Sequence, residues 1–176
     1  MNIPENKIHR MPGEYVQYNG HKGCVKSHIN VLNLIKENHW NTVLILEDDA
    51  TLNVDEETFN KSMNKMLNYI NFNKWDVVML ATTYSDKEDL SDGLVKIKNA
   101  NSSSAYIVNR HYINKLLQVF NYSYSMMSDD KWTENGFEKY ALDQLWTKLQ
   151  REDNWLGWDT DLIKQRQSKS SINEFM

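Results

Sequence analysis

The chain carries a single cysteine, Cys24, in 176 residues, so no internal disulfide framework can hold it together. That usage fits a reducing compartment. Proline is nearly absent, with Pro4 and Pro12 alone near the start. No apolar run reaches membrane-spanning length, and the opening MNIPENKIHRM lacks the apolar stretch of a signal peptide. The expectation is a cytoplasmic chain without a membrane span, in which the sequons at Asn101 and Asn121 go unused. Basic blocks are missing as well. A net charge of −4 and a pI near 5.7 argue against a nucleic-acid or anionic-membrane partner.

What is present describes a globular chain: 40% hydrophobic and 25% charged residues. The length suits a single domain over 1–176 with a real core. Residues 1–22 form an irregular lead-in with turn signals at Gly13, Gly20 and Gly23 and room for one short strand. Val25, Ile29, Leu32 and Ile35 recur at helical spacing, predicting an amphipathic helix from Cys24 to about Asn38. TVLILE (42–47) is an unbroken, branched apolar run that suits a strand buried on both faces. Asp55 can cap a helix with Glu56 and Glu57 in its first turn and Phe59, Met63, Met66, Leu67 and Ile70 along its buried stripe. Further strands are expected at 76–81, 94–98 and 104–108, the third followed by a helix carrying Ile113, Leu116, Leu117 and Phe120. Residues 121–135 read as a mobile loop, 138–150 as a helix, and 164–176 as a frayed tail. Strands alternate with helices, so the class is α/β, with a mainly parallel central sheet in which 42–47, 76–81 and 104–108 lie inside.

The stretch LILEDDA (44–50) runs three aliphatic residues into Glu47, Asp48 and Asp49. Adjacent carboxylates repel, and burying them is costly. Acids at the carboxyl end of a buried strand sit where open α/β sheets bind ligands. Strand alternation would place Glu47 and Asp49 on one face and Asp48 on the other. Two hard oxygen ligands on one face suit Mg²⁺ or Mn²⁺ when a ligand phosphate supplies the rest. A helix or an exposed edge at 42–47 would sink the interior-strand reading and this metal case with it. A solvated acidic loop, with Asp49 capping a turn, is the plain alternative.

VLILEDDATL also looks like the acid motif of bacterial receiver domains. A receiver needs an aspartate at the end of a later strand, but WDVVMLATT ends in Ala81, Thr82 and Thr83. It also needs a later Lys-Pro pair, which is absent, and it begins close to the acid strand, whereas some forty residues precede it here.

Upstream stands GCVKSH (23–28). Cys24, Ser27 and His28 fall at i, i+3 and i+4, close together on one helix face. Small polar groups at a helix N-terminus can receive a phosphate or a sugar hydroxyl. A Cys-His nucleophile has no evident orienting partner, and zinc has no second ligand cluster. A buried cysteine and a hydrogen-bonded structural histidine remain the plain alternative.

GCVKSH followed after one helix by LILEDDA resembles glycosyltransferase family 25, typified by lipooligosaccharide and collagen galactosyltransferases. SSSAYIVNRHYINKLL (102–117), ALDQLW (141–146) and DLIKQRQSKSSI (161–172) resemble later family segments in the same order. The resemblance implies a GT-A-type, Rossmann-like fold and inverting transfer of a hexose from a UDP-sugar to a glycan or protein hydroxyl. It implies that Glu47 and Asp49 hold Mn²⁺ (or Mg²⁺) against the diphosphate. Cys24, Ser27, His28, Asp48 and Gln165 would contact the donor, with Arg166 beside them. Asp143 would be the catalytic base, with Glu138 and Asp129 as rivals. Trp132, Trp146, Trp155 and Trp158 are candidates for stacking on a sugar ring. The family normally opens with a strand and helix ahead of a segment like KIHRMPGEYVQYNG. This chain starts at or just before that segment, so the expectation is that the donor pocket is built differently, that another chain completes it, or that activity is reduced. The alternative expectation is a non-catalytic relative that binds nucleotide sugar or glycan, or acts as a partner subunit.

Overall fold

A computed structural model describes residues 3–17, 19–127 and 138–166. After a 3₁₀ turn at Glu5–Lys7, the lead-in shows no strand among its described residues. Helix α1 spans Gly20–Glu37, starting four residues before the expected point because Asn19 caps it, its side chain accepting from the Lys22 N–H. Its predicted stripe is correct: Val25, Ile29, Leu32 and Ile35 are all buried. Strand β1 (Thr42–Leu46) leads through the acid turn into the short β2 (Ala50–Leu52). Helix α2 (Glu56–Phe72) starts at Asp55 as expected. Phe59 and Met66 are its buried residues, whereas Leu67 is 47% exposed and lies off the stripe. Strands β3 (Val77–Met79), β4 (Thr83–Asp89), β5 (Leu94–Asn101) and β6 (Ala105–Asn109) follow. Helix α3 (Ile113–Met126) takes up 121–126 of the segment expected as a loop, and 128–135 of that segment lie outside the described residues. The helix expected at 138–150 is divided into a 3₁₀ turn at Glu138–Tyr140, α4 (Leu142–Leu145) and α5 (Thr147–Glu152). Strands β7 (Trp155–Trp158) and β8 (Ile163–Gln165) complete the order.

The main sheet has the order β1-β6-β3-β7-β5-β4. It is mixed, and mainly antiparallel. Only β3 and β7 run parallel; β1–β6, β3–β6, β5–β7 and β4–β5 are antiparallel. The expectation of a mainly parallel sheet is therefore corrected, and so is the interior position of 42–47, because among the described residues β1 pairs with β6 alone and forms an edge. Strands β3 and β6 are interior as expected. The apolar run in β1 misled because it reports covered faces, not strand neighbours. Ile45, with Val43 beside it, packs into the core beneath α1 and α3, and Leu44 packs against the core beneath α2. Alternation does the same along β3 and β6: Val77, Met79, Tyr106 and Val108 join the first core, and Val78, Ala105 and Ile107 join the second. Two apolar cores thus sandwich the sheet, and the acid turn lies where β1 leaves it.

The lead-in packs against α1 at one glycine. A Cβ on Gly23 would sit 2.4 Å from the Glu14 carbonyl oxygen, closer than atoms tolerate. At an open helical position Gly→Ala stabilises by about 1 kcal/mol. Here we expect the reverse sign: Gly23→Ala should destabilise by about 1–3 kcal/mol, the scale of overpacking, as read by urea denaturation.

Candidate active site

Helix α1 delivers the GCVKSH residues, and each has a separate task. Gly23 lets Glu14 approach. Ser27 Oγ donates to the Gly23 carbonyl and accepts from the Glu14 N–H at 2.8 Å, tying the lead-in to the helix. Cys24 and His28, one turn apart, face β1. The His28 Nε2 lies 3.1 Å from Glu47 Oε1, and its Nδ1 lies 2.9 Å from the Tyr106 hydroxyl. The Cys24 thiol donates weakly to the same Glu47 oxygen at 3.8 Å. Because α1 begins at Gly20, the motif sits inside the helix and offers no free N-terminal amides. This removes the helix-end route to phosphate binding.

Glu47 is the hub. Its Oε1 also accepts from Ser103 Oγ at 2.7 Å, while among the described residues Oε2 accepts only from the exposed Gln165 amide at 3.3 Å. Burial raises the affinity of Glu47 for a proton. The hydrogen bond and charge of His28, with Ser103 and Gln165, outweigh that and hold its carboxyl below the ordinary range. Burial, then the charge of Glu47, pushes the Cys24 thiol up. Cys24 is therefore a protonated thiol at neutral pH and not a nucleophile. Tyr106 is fully buried and also pushed well up by burial, so its hydroxyl stays neutral.

Asp48 and Asp49 are not strand residues. The strand ends at Leu46, and the Ala50 N–H bonds the Glu47 carbonyl across a tight turn with both aspartates at its corner. The strand alternation expected to align Glu47 with Asp49 does not extend this far. Asp48 is exposed, whereas Asp49 is partly covered. Its Oδ1 is buried without a hydrogen-bond partner among the described residues. Burial, then the charges of Glu47 and Asp48, pushes the Asp49 carboxyl up. The carbonyl of Asp49 accepts from the Arg166 N–H at 2.7 Å, next to the β2–β8 pairing of Ala50 with Gln165. The tail expected to fray is thus held at 163–166 against the acid turn. Residues 167–176 lie outside the described set.

Asp143 occupies the first turn of α4, and Ala141 is that helix's N-cap residue. Asp143 is not the cap. Its Oδ2 accepts from the Ser102 N–H at 3.1 Å, and its charge reaches Cys24. Ser102 stands at φ +90° between β5 and β6, next to Ser103, which bonds Glu47. Trp146, fully buried against Tyr106 and Trp155, anchors α4 from below. The structure thus gathers Cys24, His28, Glu47, Asp143 and Gln165 around the Ser102–Ser104 link, with Asp49 and Arg166 alongside. It leaves Ser27 in a structural role. Trp146, Trp155 and Trp158 are at most 5% exposed and serve the cores, so none offers a face to a sugar. Asp129, Trp132 and the Glu138 side chain lie outside the described residues. Sequence reasoning missed Ser103 and Tyr106 as members of the site. The signal was the quoted SSSAYIV segment, whose serines lie immediately before a buried strand.

The family model described as glycosyltransferase family 25 (LPS biosynthesis protein) matches residues 18–132. The chain belongs to glycosyltransferase family 25. The matched span of this family 25 member holds GCVKSH, the acid turn and the serine link, the three segments that meet in space. Asp143 and Gln165 come from outside it. No curated protein gives a significant match. Among the described residues no helix is long and apolar enough to cross a membrane. Family membership makes the chain a glycosyltransferase-type protein that takes a sugar donor and an acceptor.

Proposed function

We propose that this family 25 member is an inverting, metal-dependent hexosyltransferase on a GT-A-type scaffold, using a UDP-sugar donor and a glycan or protein hydroxyl acceptor. Glu47 and Asp49 would hold Mn²⁺ or Mg²⁺, with Cys24, His28, Asp48 and Gln165 around the donor. The edge position of β1 removes the strand-based case for a cation, which must find another support. The orphaned Asp49 oxygen supplies a stronger one, because a buried acceptor without a donor, pressed by two like charges, suits a hard divalent ion. Glu47 contributes Oε2, whose one partner is an exposed and displaceable amide. When bound, the ion would neutralise charge on the departing diphosphate.

The protein's own groups do the rest. Asp143 accepts the acceptor hydroxyl's proton as that oxygen attacks the anomeric carbon, and the Ser102 amide keeps the carboxylate aimed. His28 is fixed by Tyr106 and Glu47 and steadies the Glu47 carboxylate. The carrying observation is that Asp49 oxygen, pressed by the charge of Glu47, in a family of sugar transferases. One feature favours a non-catalytic relative instead: Glu47 Oε1 is already engaged by Ser103, His28 and Cys24, as a structural anchor would be. A panel of UDP-hexoses with Mn²⁺, followed by release of UDP, tests this. Release with one donor is expected. Thermal stabilisation by a donor without any turnover would favour the non-catalytic relative; a donor at a hundred times its Kd should add about 2.7 kcal/mol.

A further inference from the structure

We propose that Cys24, His28 and Glu47 Oε1 form a second metal site, selective for a thiophilic divalent ion such as Zn²⁺, which shares Glu47 with the hard-ion position at Asp49 but uses its other oxygen. The three side chains offer one sulfur, one nitrogen and one oxygen, all within 4.8 Å of one another. A tetrahedral zinc with S at about 2.3 Å and N or O at about 2.0–2.1 Å separates its ligand atoms by roughly 3.3–3.6 Å. The structure has His28 Nε2 at 3.1 Å and Cys24 Sγ at 3.8 Å from the Glu47 oxygen. Both Glu47 edges lie within about 0.2 Å of that range, and the Cys24–His28 edge needs to close by at most about 1.2 Å.

The surroundings fit as well. A metal-bound imidazole presents its other ring nitrogen to a fixed partner that sets its tautomer. The buried Tyr106 hydroxyl stands 2.9 Å from His28 Nδ1 and can accept that proton. Cys24 and Glu47 keep partial exposure, which gives an entry path, while His28 is 4% exposed. On binding, the S–H bond is replaced by a sulfur–metal bond and one proton leaves to solvent. The soft sulfur separates this site from the all-oxygen acid turn, so the two should sort Zn²⁺ from Mn²⁺. The inference stands on this geometry and does not require sugar transfer.

The test uses the full chain and Co²⁺ as a spectroscopic substitute for Zn²⁺. Cys24 is the only cysteine, so a thiolate-to-cobalt charge-transfer band can arise from nowhere else. We expect one equivalent of Co²⁺ to give that band, Zn²⁺ to abolish it, and Mn²⁺ to leave it standing. Cys24→Ser should remove it, and His28→Gln should weaken binding. Tyr106→Phe should cost about 10–100-fold in Zn²⁺ affinity, measured by chelator competition, as loss of an orienting partner does. Folding of each variant is checked by circular dichroism, and the wild-type spectrum decides the question even where a variant fails. Folded wild-type protein that binds Co²⁺ without a thiolate band, or binds none, overturns the proposal. Failure of sugar transfer with the band intact leaves this site standing and counts only against the transferase mechanism.

Discussion

Asp143→Asn should lower the transfer rate by about a hundredfold or more while donor affinity stays near that of the wild type. The asymmetry follows from where the side chain sits. Asp143 points from the first turn of α4 toward the serine link and accepts one bond, from the Ser102 amide. Asparagine keeps an oxygen for that bond, so the local fold survives; only the proton-accepting charge is lost. Its helix is held by Trp146, whose indole is fully buried and donates to the Ala100 carbonyl, and by Gln150, which also bonds Ala100. Rates from single-turnover assays, with donor affinity measured separately, would check this. Full activity in a folded variant would mean that Asp143 positions Ser102 and nothing more.

Asp49→Asn should fail differently, losing metal-dependent donor binding and turnover together. One oxygen of this carboxylate is buried without a partner among the described residues, so removing its charge removes the attraction for a cation. The pH dependence carries a definite sign. The folded-state affinity of Asp49 for protons is raised, so the native state binds more protons than the unfolded chain between the ordinary carboxylate value and the raised one. Its contribution to stability therefore falls as pH rises through that window, and the repulsion is fully present above it. Asp49→Asn should leave metal-free protein as stable as the wild type or slightly more stable at neutral pH, by less than about 1 kcal/mol for so exposed a group. Denaturation at pH 3–7 with a chelator reads this. A gain in stability with metal-dependent binding untouched would reduce LILEDDA to a repelling acid cluster.

Much of the site was legible because its parts are local. The i, i+4 spacing placed Cys24 and His28 on one face, and the helix period alone sufficed for that. Asp55 capped α2 for equally local reasons. Long-range pairing was not legible. Strand WLGW (155–158) carries no alternation, because both its faces are buried and Gly157 lets the Tyr84 hydroxyl and Ile97 approach. The KQR segment reads as polar tail, yet its backbone pairs with β2 and brings Gln165 and Arg166 to the acids. An apolar run also cannot report whether a strand has one neighbour or two, which is why β1 was expected inside the sheet. The indoles misled for a related reason: composition shows that tryptophans are present, and only packing shows that they are buried.

The central claim is that the acid turn binds a hard divalent ion that bridges to a nucleotide-sugar diphosphate. Calorimetry of a UDP-hexose against the full chain, with Mn²⁺ and then with a chelator, tests it most directly. Binding that depends on Mn²⁺, with Mg²⁺ no better, is the result expected. Equal affinity with and without metal would contradict it.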